Sequence, residues 1–310
     1  MAFPKAIEIN EEGPREGFQI EKKHYPLAAR AAVVDALSET GLSKIQVASF
    51  VSPKAVPTMA DAAELFAAIK KKPGVTYTPL YLNAKGFERA RQVSEVDMEG
   101  RIHFYTTDQF ALQNNNRPAA QVRDDQIAMI DLCVEHGVPL EGAYIMTAFG
   151  CNFEGSVAPG TAVERLREIL DIAAEEGTDI EILSLADTMG WAAPKGIKEV
   201  VGKVRETWPD KRICLHLHDT RGMGVANVYA GMEMGVDLFD SSVAGLGGCP
   251  FAALKGAAGN VCTEDVVFLC NELGIETGVD LDKLIEVARL AEDIVGHPLP
   301  GSIMHAGSPW

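Results

Sequence analysis

Short apolar, β-branched runs alternate along this chain with longer stretches in which apolar residues recur every three to four positions. The first kind predicts strands and the second amphipathic helices, and their alternation is the pattern of repeated βα units around a parallel sheet. Strand starts are expected near Ala6, Lys44, Val75, Arg101, Leu140, Asp179, Arg212 and Asp237. The intervals between them are 38, 31, 26, 39, 39, 33 and 25 residues, each long enough for one strand and one helix. Eight such units predict an α/β fold of the closed (β/α)₈ TIM-barrel type rather than an open sheet.

The intervening helices carry their own punctuation. Residues 26–40 close at Gly41, Thr58-Met59-Ala60-Asp61 opens a helix that runs to Lys72 and stops at Pro73-Gly74, and 161–176 closes at Gly177. Thr161-Ala162-Val163-Glu164 fits a capping box. Beyond the eighth unit, 280–295 reads as one added C-terminal helix. Residues 1–300 therefore form a single barrel domain. The tail, 301–310, is expected to be either disordered or draped over the barrel or a partner subunit.

Composition narrows the function. A net charge of -16 without any lysine or arginine cluster argues against nucleic acid and anionic membrane surfaces as partners. Six cysteines without C-x-x-C spacing point to a reducing compartment. No basic-plus-apolar leader pattern and no apolar run of about 18 residues is found, so a cytoplasmic protein is expected.

In a barrel of this kind chemistry gathers at the C-terminal strand ends. His216 and His218 stand two apart on the seventh strand and would project side by side, as metal ligands do. Cys214, in phase with them, is either a third ligand or a small apolar filler. Glu16, in the Gly13-Pro14-Arg15-Glu16-Gly17 turn after strand one, is the best carboxylate to join the histidines, and Arg15 beside it suits a developing oxyanion. Asp187 and Asp219 are either partners that orient the imidazoles or caps of the helices that follow. Gly245-Leu246-Gly247-Gly248-Cys249-Pro250 lacks the spacing of a phosphate loop and reads as a mobile segment able to carry the Cys249 thiol over the site.

Gly-Pro-Arg-x-Gly-x-Gln at 13–19, Ser-Phe-Val-Ser-Pro-Lys at 49–54, His-x-His-Asp-Thr at 216–220, and Ser-Ser-Val-Ala-Gly-Leu-Gly-Gly-Cys-Pro-Phe at 241–251 with Gly259-Asn260 resemble the 3-hydroxy-3-methylglutaryl-CoA lyase family. The resemblance implies a metal-dependent TIM-barrel lyase with an acyl-CoA substrate and a homo-oligomeric assembly, a dimer or tetramer. It implies that Glu16, His216, His218 and Asn260 ligate Mg²⁺ or Mn²⁺, with Co²⁺ a further candidate. Arg15 would polarise the thioester carbonyl, Cys249 would serve as general acid/base, and Gln19, Gln46, Ser49 and Asp187 would line the substrate site. The expected reaction is retro-Claisen cleavage of a short dicarboxylic 3-hydroxyacyl-CoA to acetyl-CoA and an oxoacid. The default substrate is 3-hydroxy-3-methylglutaryl-CoA, with citramalyl-CoA the main alternative. A Claisen-type synthase and a non-catalytic barrel are the other two readings.

The family usually has Asp at the position of Glu16 and Glu at that of Gln46, which here removes a negative charge from the site. The span from Cys249 to Asn260 is longer than in the lyases, with Leu254-Lys255 the expected insertion.

Overall fold

The computed structural model describes residues 3–248 and 258–309. Eight parallel strands are present: β1 (Glu8–Glu11), β2 (Lys44–Ser49), β3 (Thr76–Leu80), β4 (Gly100–Tyr105), β5 (Leu140–Met146), β6 (Ile182–Ala186), β7 (Arg212–His216) and β8 (Leu238–Ser241). Their order, β3-β2-β1-β8-β7-β6-β5-β4, is that of a barrel opened at one seam, with β1 and β8 paired along their whole length. The seam falls between β3 and β4, where no strand ladder forms among the described residues. Asp97 closes it instead. Its amide donates to the Tyr77 carbonyl at 2.9 Å, and its carboxylate accepts from the Tyr77 amide at 2.7 Å.

The hydrophobic core lies between the sheet and its helices. Val33, Val34 and Leu37 of helix Leu27–Ser38, Leu166 and Ile169 of helix Pro159–Glu175, and Val201 and Val204 of helix Pro194–Thr207 are all fully buried. Inside the barrel the side chains are unusually polar, with Glu12, Gln46, Arg101, His103 and Asp240 all buried there or at its mouth.

Strand starts depart from the sequence reading by three residues at most, the widest being β6, which begins at Ile182. Asp179, taken as its start, instead caps the Ile180 amide at 2.9 Å and pairs with Lys211. Helix ends differ more, because side chains from elsewhere capture the amides. The helix expected up to Lys72 is a 3₁₀ turn (Pro57–Met59) followed by Ala62–Ala68. Asp61 is held there by the buried Arg30, Lys70 N donates to Asp35 (2.7 Å), and Lys72 N donates to the Tyr77 hydroxyl (2.9 Å). The capping box at Thr161 is not formed. The helix starts at Pro159, a residue suited to the first turn, with Ala158 as N-cap.

Helix Leu281–Val295 matches the reading, with Asp280 accepting from Lys283 N. The tail contains a short helix, Ser302–Ala306, packed on helices Thr263–Leu273 and Leu281–Val295 through buried Met304 and the Asp265 bond to Ile303 N. Among the described residues no helix is long and apolar enough to cross a membrane.

Candidate functional site

Immediately after β1 the chain turns into a short helix, α1 (Gly13–Ile20), rather than the tight turn the sequence suggested, with Pro14 in the first turn where its missing N–H costs nothing. Gly17 permits close packing, since a Cβ there would lie 2.6 Å from Leu246. This contact fixes α1 against the glycine-rich segment after β8 and directs Arg15 and Glu16 over the barrel mouth.

Glu16 faces both histidines. Its Oε1 lies 3.5 Å from His218 Nε2 and its Oε2 lies 3.9 Å from His216 Nε2, while the two Nε2 atoms are 3.1 Å apart. Burial alone would raise the Glu16 pKa. The Arg15 guanidinium and the two imidazoles outweigh it and hold the carboxyl well below the usual carboxylate range.

For His216, burial pulls the pKa down, but the Asp240 hydrogen bond and the Glu16 and Glu12 carboxylates bring it up to about 9. Asp240 accepts from His216 Nδ1 at 3.2 Å and from Asn10 Nδ2 at 2.8 Å, which directs the His216 Nε2 lone pair at Glu16 when the ring is neutral. The β7–β8 register places Asp240 directly opposite His216. It is the orienting carboxylate that the sequence reading sought at Asp187 or Asp219.

Asn260 completes the group. Its Nδ2 donates to Ser242 Oγ (2.8 Å) and the Leu246 carbonyl (3.2 Å), leaving Oδ1 buried without a partner, and its backbone bridges to His218. One carboxylate, two facing imidazole nitrogens and an orphaned amide oxygen form a donor set that fits a divalent cation with positions left for substrate.

On the other side of Arg15 a chain of ion pairs crosses the barrel. Arg15 Nη2 pairs with Glu16 (3.2 Å) and with Glu12, and Arg15 Nε donates to Gln46 Oε1. Glu12 in turn accepts from Arg101 Nη1 at 2.7 Å, and Arg101 Nε donates to Glu99 at 2.8 Å. Beside this chain lies a cavity of about 150 Å³, lined on the polar side by Glu12, Arg15, Glu16, Gln46, Arg101 and His103. Leu80, Leu82, Phe110 and Met146 line its apolar side. Burial and the neighbouring Arg101 and Arg15 charges push the His103 pKa down to about 3, so that ring is neutral.

Most of the expected site residues converge on this cavity, but three have other work. Ser49 is fully buried behind Gln19, donating to its Oε1 at 2.7 Å; Gln19 itself lines the cavity. Asp187 is turned into its own loop, where Oδ1 accepts from Trp191 N (2.6 Å) and Ala192 N (3.0 Å), and burial raises its pKa to about 6. Asp219 accepts from Gly224 N (2.6 Å) at the start of helix Gly224–Glu233. Cys214 is neither the third ligand nor an apolar filler: it is buried with its thiol donating to Asp240 Oδ1 at 3.3 Å, the carboxylate that orients His216. Cys249 and Leu254-Lys255 lie outside the described residues.

The sequence reading missed Glu12, Arg101, His103 and Asp240. Glu12 and Asp240 stand immediately before the 13–19 and 241–251 motifs, a signal that could have found them, whereas Arg101 and His103 sit inside a strand with no motif around them.

Residues 6–291 match the HMGL-like family model. A 3-hydroxy-3-isohexenylglutaryl-CoA/hydroxymethylglutaryl-CoA lyase of Pseudomonas aeruginosa is 39% identical over 298 residues, covering 96% of this chain and 95% of the relative. The crystal structure of the Bacillus subtilis HMG-CoA lyase superposes with a TM-score of 0.91 at 32% identity over 99% of both chains. An Acinetobacter baumannii HMG-CoA lyase, solved in complex with coenzyme A and 3-methylmalate, has a TM-score of 0.87 at 34% identity over 100% of this chain and 97% of its own. With the ligand cluster at the mouth of the same barrel, these matches place the chain in the HMG-CoA lyase family.

Proposed function

We propose that this protein is a divalent-metal-dependent lyase that cleaves 3-hydroxy-3-methylglutaryl-CoA to acetyl-CoA and acetoacetate. The observation that carries the reading is the clustering of Glu16, His216 and His218 at one end of the cavity, with Arg15 beside them and Asn260, whose Oδ1 is unpartnered, bridged to His218. A bound divalent ion would supply Lewis-acid polarisation of the substrate's hydroxyl and carbonyl oxygens. Mg²⁺ and Mn²⁺ suit a set half made of oxygens better than a closed zinc site does.

The chain's own residues perform the rest. Arg15 is fixed by Gln46, Glu12 and Glu16 through Nε and Nη2, which leaves Nη1 to meet the thioester oxygen. Cys249, acting first as a thiolate base, takes the alcohol proton, and the carbon-carbon bond breaks to a ketone and the enolate of acetyl-CoA. The Arg15 charge stabilises that enolate as it forms, and Cys249 protonates its carbon, a thiol having a pKa far closer to neutrality than an alcohol's.

Citramalyl-CoA, shorter by one methylene, would gain from a site lacking an acid at position 46. Glu12, however, puts a carboxylate on Arg15 beside Gln46, so the site has not lost that charge and the longer ester is favoured. The free, buried state of Cys133, Cys151, Cys214, Cys262 and Cys270 suits the reducing, cytoplasmic setting proposed here. The homo-oligomeric assembly is likewise a proposal, checked by light scattering.

Purified protein with Mg²⁺ should release acetyl-CoA and acetoacetate from 3-hydroxy-3-methylglutaryl-CoA, lose that activity in excess EDTA, and prefer this ester over citramalyl-CoA in kcat/KM. Cys249→Ser should lose at least about 100-fold in kcat while still binding metal. Activity that survives chelation, or a Cys249→Ser enzyme with the parental rate, would remove the corresponding part of the mechanism.

A further inference from the structure

The cavity has two chemically distinct ends, and the metal-ligand cluster accounts for only one. At the other end β4 directs Arg101, His103 and Tyr105 inward on one face. Arg101 is the deepest of them, four residues or about 13 Å below Tyr105 along the strand. We propose that Arg101, with His103 beside it, is the receptor for the carboxylate at the far end of the substrate's acyl chain. The proposal rests on the lyase reading above and deepens it by assigning the group that selects dicarboxylic thioesters.

Three observations support it. Arg101 is 7% exposed, yet its Nη2 has no hydrogen-bond partner, and neither do His103 Nδ1 and Gln46 Nε2, which belong to residues lining the same cavity. Arg101 Nη2 and Gln46 Nε2 are buried donors left unpaired, which costs free energy, and a carboxylate oxygen is the acceptor that recovers it; the neutral His103 ring joins them in the tautomer protonated at Nδ1. The guanidinium Cζ also lies over the Tyr144 ring, 5.2 Å from its centroid, and the His103 ring centroid lies 5.3 Å from that same ring, so Tyr144 packs against both side chains.

Charge does not oppose the arrangement. Within one connected network Arg15, Arg101 and Lys44 are set against Glu12, Glu16, Glu99 and Glu141; the one carboxylate in excess is Glu16, whose charge a bound divalent ion would offset, so a carboxylate arriving at Arg101 would meet the balanced remainder.

The test uses two inert thioesters that differ by this carboxylate alone, glutaryl-CoA and butyryl-CoA, titrated calorimetrically into the Mg²⁺-loaded full chain. The native protein should bind glutaryl-CoA about 10- to 100-fold more tightly. Arg101→Gln should bring that ratio to within about threefold of unity while leaving butyryl-CoA affinity unchanged. Arg101→Lys, which keeps the charge that Glu12 and Glu99 require, should fold and show an intermediate ratio.

A native ratio near one, a ratio that survives Arg101→Gln, or in a case where that variant does not fold, a native ratio in Arg101→Lys, overturns the assignment. Equal weakening of both esters does the same, because Arg101 would then act only through Glu12 and Arg15. Cleavage of 3-hydroxy-3-methylglutaryl-CoA is assayed separately. Failure to cleave it with the glutaryl preference intact would sink the lyase reading and uphold the receptor, and cleavage without the preference would do the reverse.

Discussion

Asp240 shows what a single residue contributes and why it was hard to read. It sits in the run Leu238-Phe239-Asp240-Ser241, immediately before the 241–251 motif, but nothing in that run names the side chain it would orient. Its role comes from the β7–β8 register, which sets it opposite His216 and 24 residues away along the chain. Glu16, His216 and His218 were legible because their signal is local, a turn motif and a period of two. Asp240 and Arg101 depend on which strands become neighbours, and sequence pattern alone did not tie those neighbours to chemistry. The corresponding prediction is that Asp240→Ala weakens Mn²⁺ binding about 10- to 100-fold through loss of His216 orientation. Titration of metal-stripped protein measures it, and an unchanged affinity would show that His216 is held by other means.

Among the elements, the segment after β8 binds the site together. Glu11 accepts from Val243 N at 2.9 Å and from Thr263 Oγ1 at 2.6 Å, and Glu264 accepts from Ala244 N at 3.0 Å, so two buried acids grip its start. Ala244 has φ +58, a conformation that costs a non-glycine residue energy and that these bonds hold in place. Farther on, Gly247 has φ +97, and a Cβ there would lie 2.8 Å from both Asn260 Nδ2 and Glu16 Cγ. Gly247→Ala should therefore push two proposed ligands apart, reducing metal affinity and kcat by at least about tenfold, and the strain of alanine at that φ should also lower the melting temperature by a few degrees. A fully active Gly247→Ala protein would mean that the segment moves freely with respect to the ligands. The sequence showed this stretch only as a glycine-rich loop. Its strands and helices were legible to within a few residues, but the ends of helix Ala62–Ala68 were set by Asp35, Arg30 and Tyr77, which are distant in sequence.

At the scale of the whole molecule, buried acids make stability depend on pH. Burial raises Glu11 to about 7 and Glu264 to about 8, both above the ordinary value of 4.5 expected in the unfolded chain. The folded state therefore holds more protons than the unfolded state over this range. Their contribution is fully present below about pH 4.5 and is lost as pH rises through 7 to 8, for an expected loss of a few kcal/mol. The melting temperature should fall between pH 6 and pH 9, and Glu264→Gln, which keeps an acceptor for Ala244 N, should flatten that fall. Parallel curves for the two proteins would show that self-repulsion of the -16 charge, and not Glu264, governs the slope.

The seam between β3 and β4 has a consequence for the order of assembly. From β4 to β8 every ladder joins strands consecutive along the chain, and so do those from β1 to β3. The two arcs are joined by a ladder only between β1 and β8, where Glu8 meets Leu238, a partner 230 residues away. Closing so long a loop carries an entropic cost that short-range ladders escape, and it is recovered only once both arcs exist. In pulse-labelled refolding, amides of β4 to β8 should thus gain protection before those of Glu8 and Glu12, which donate to the Asp237 and Ser241 carbonyls of the β8 side. Because Glu12, Arg15 and Glu16 follow β1 directly, metal competence should be the last property the refolding chain acquires, appearing with β1 protection and not before it.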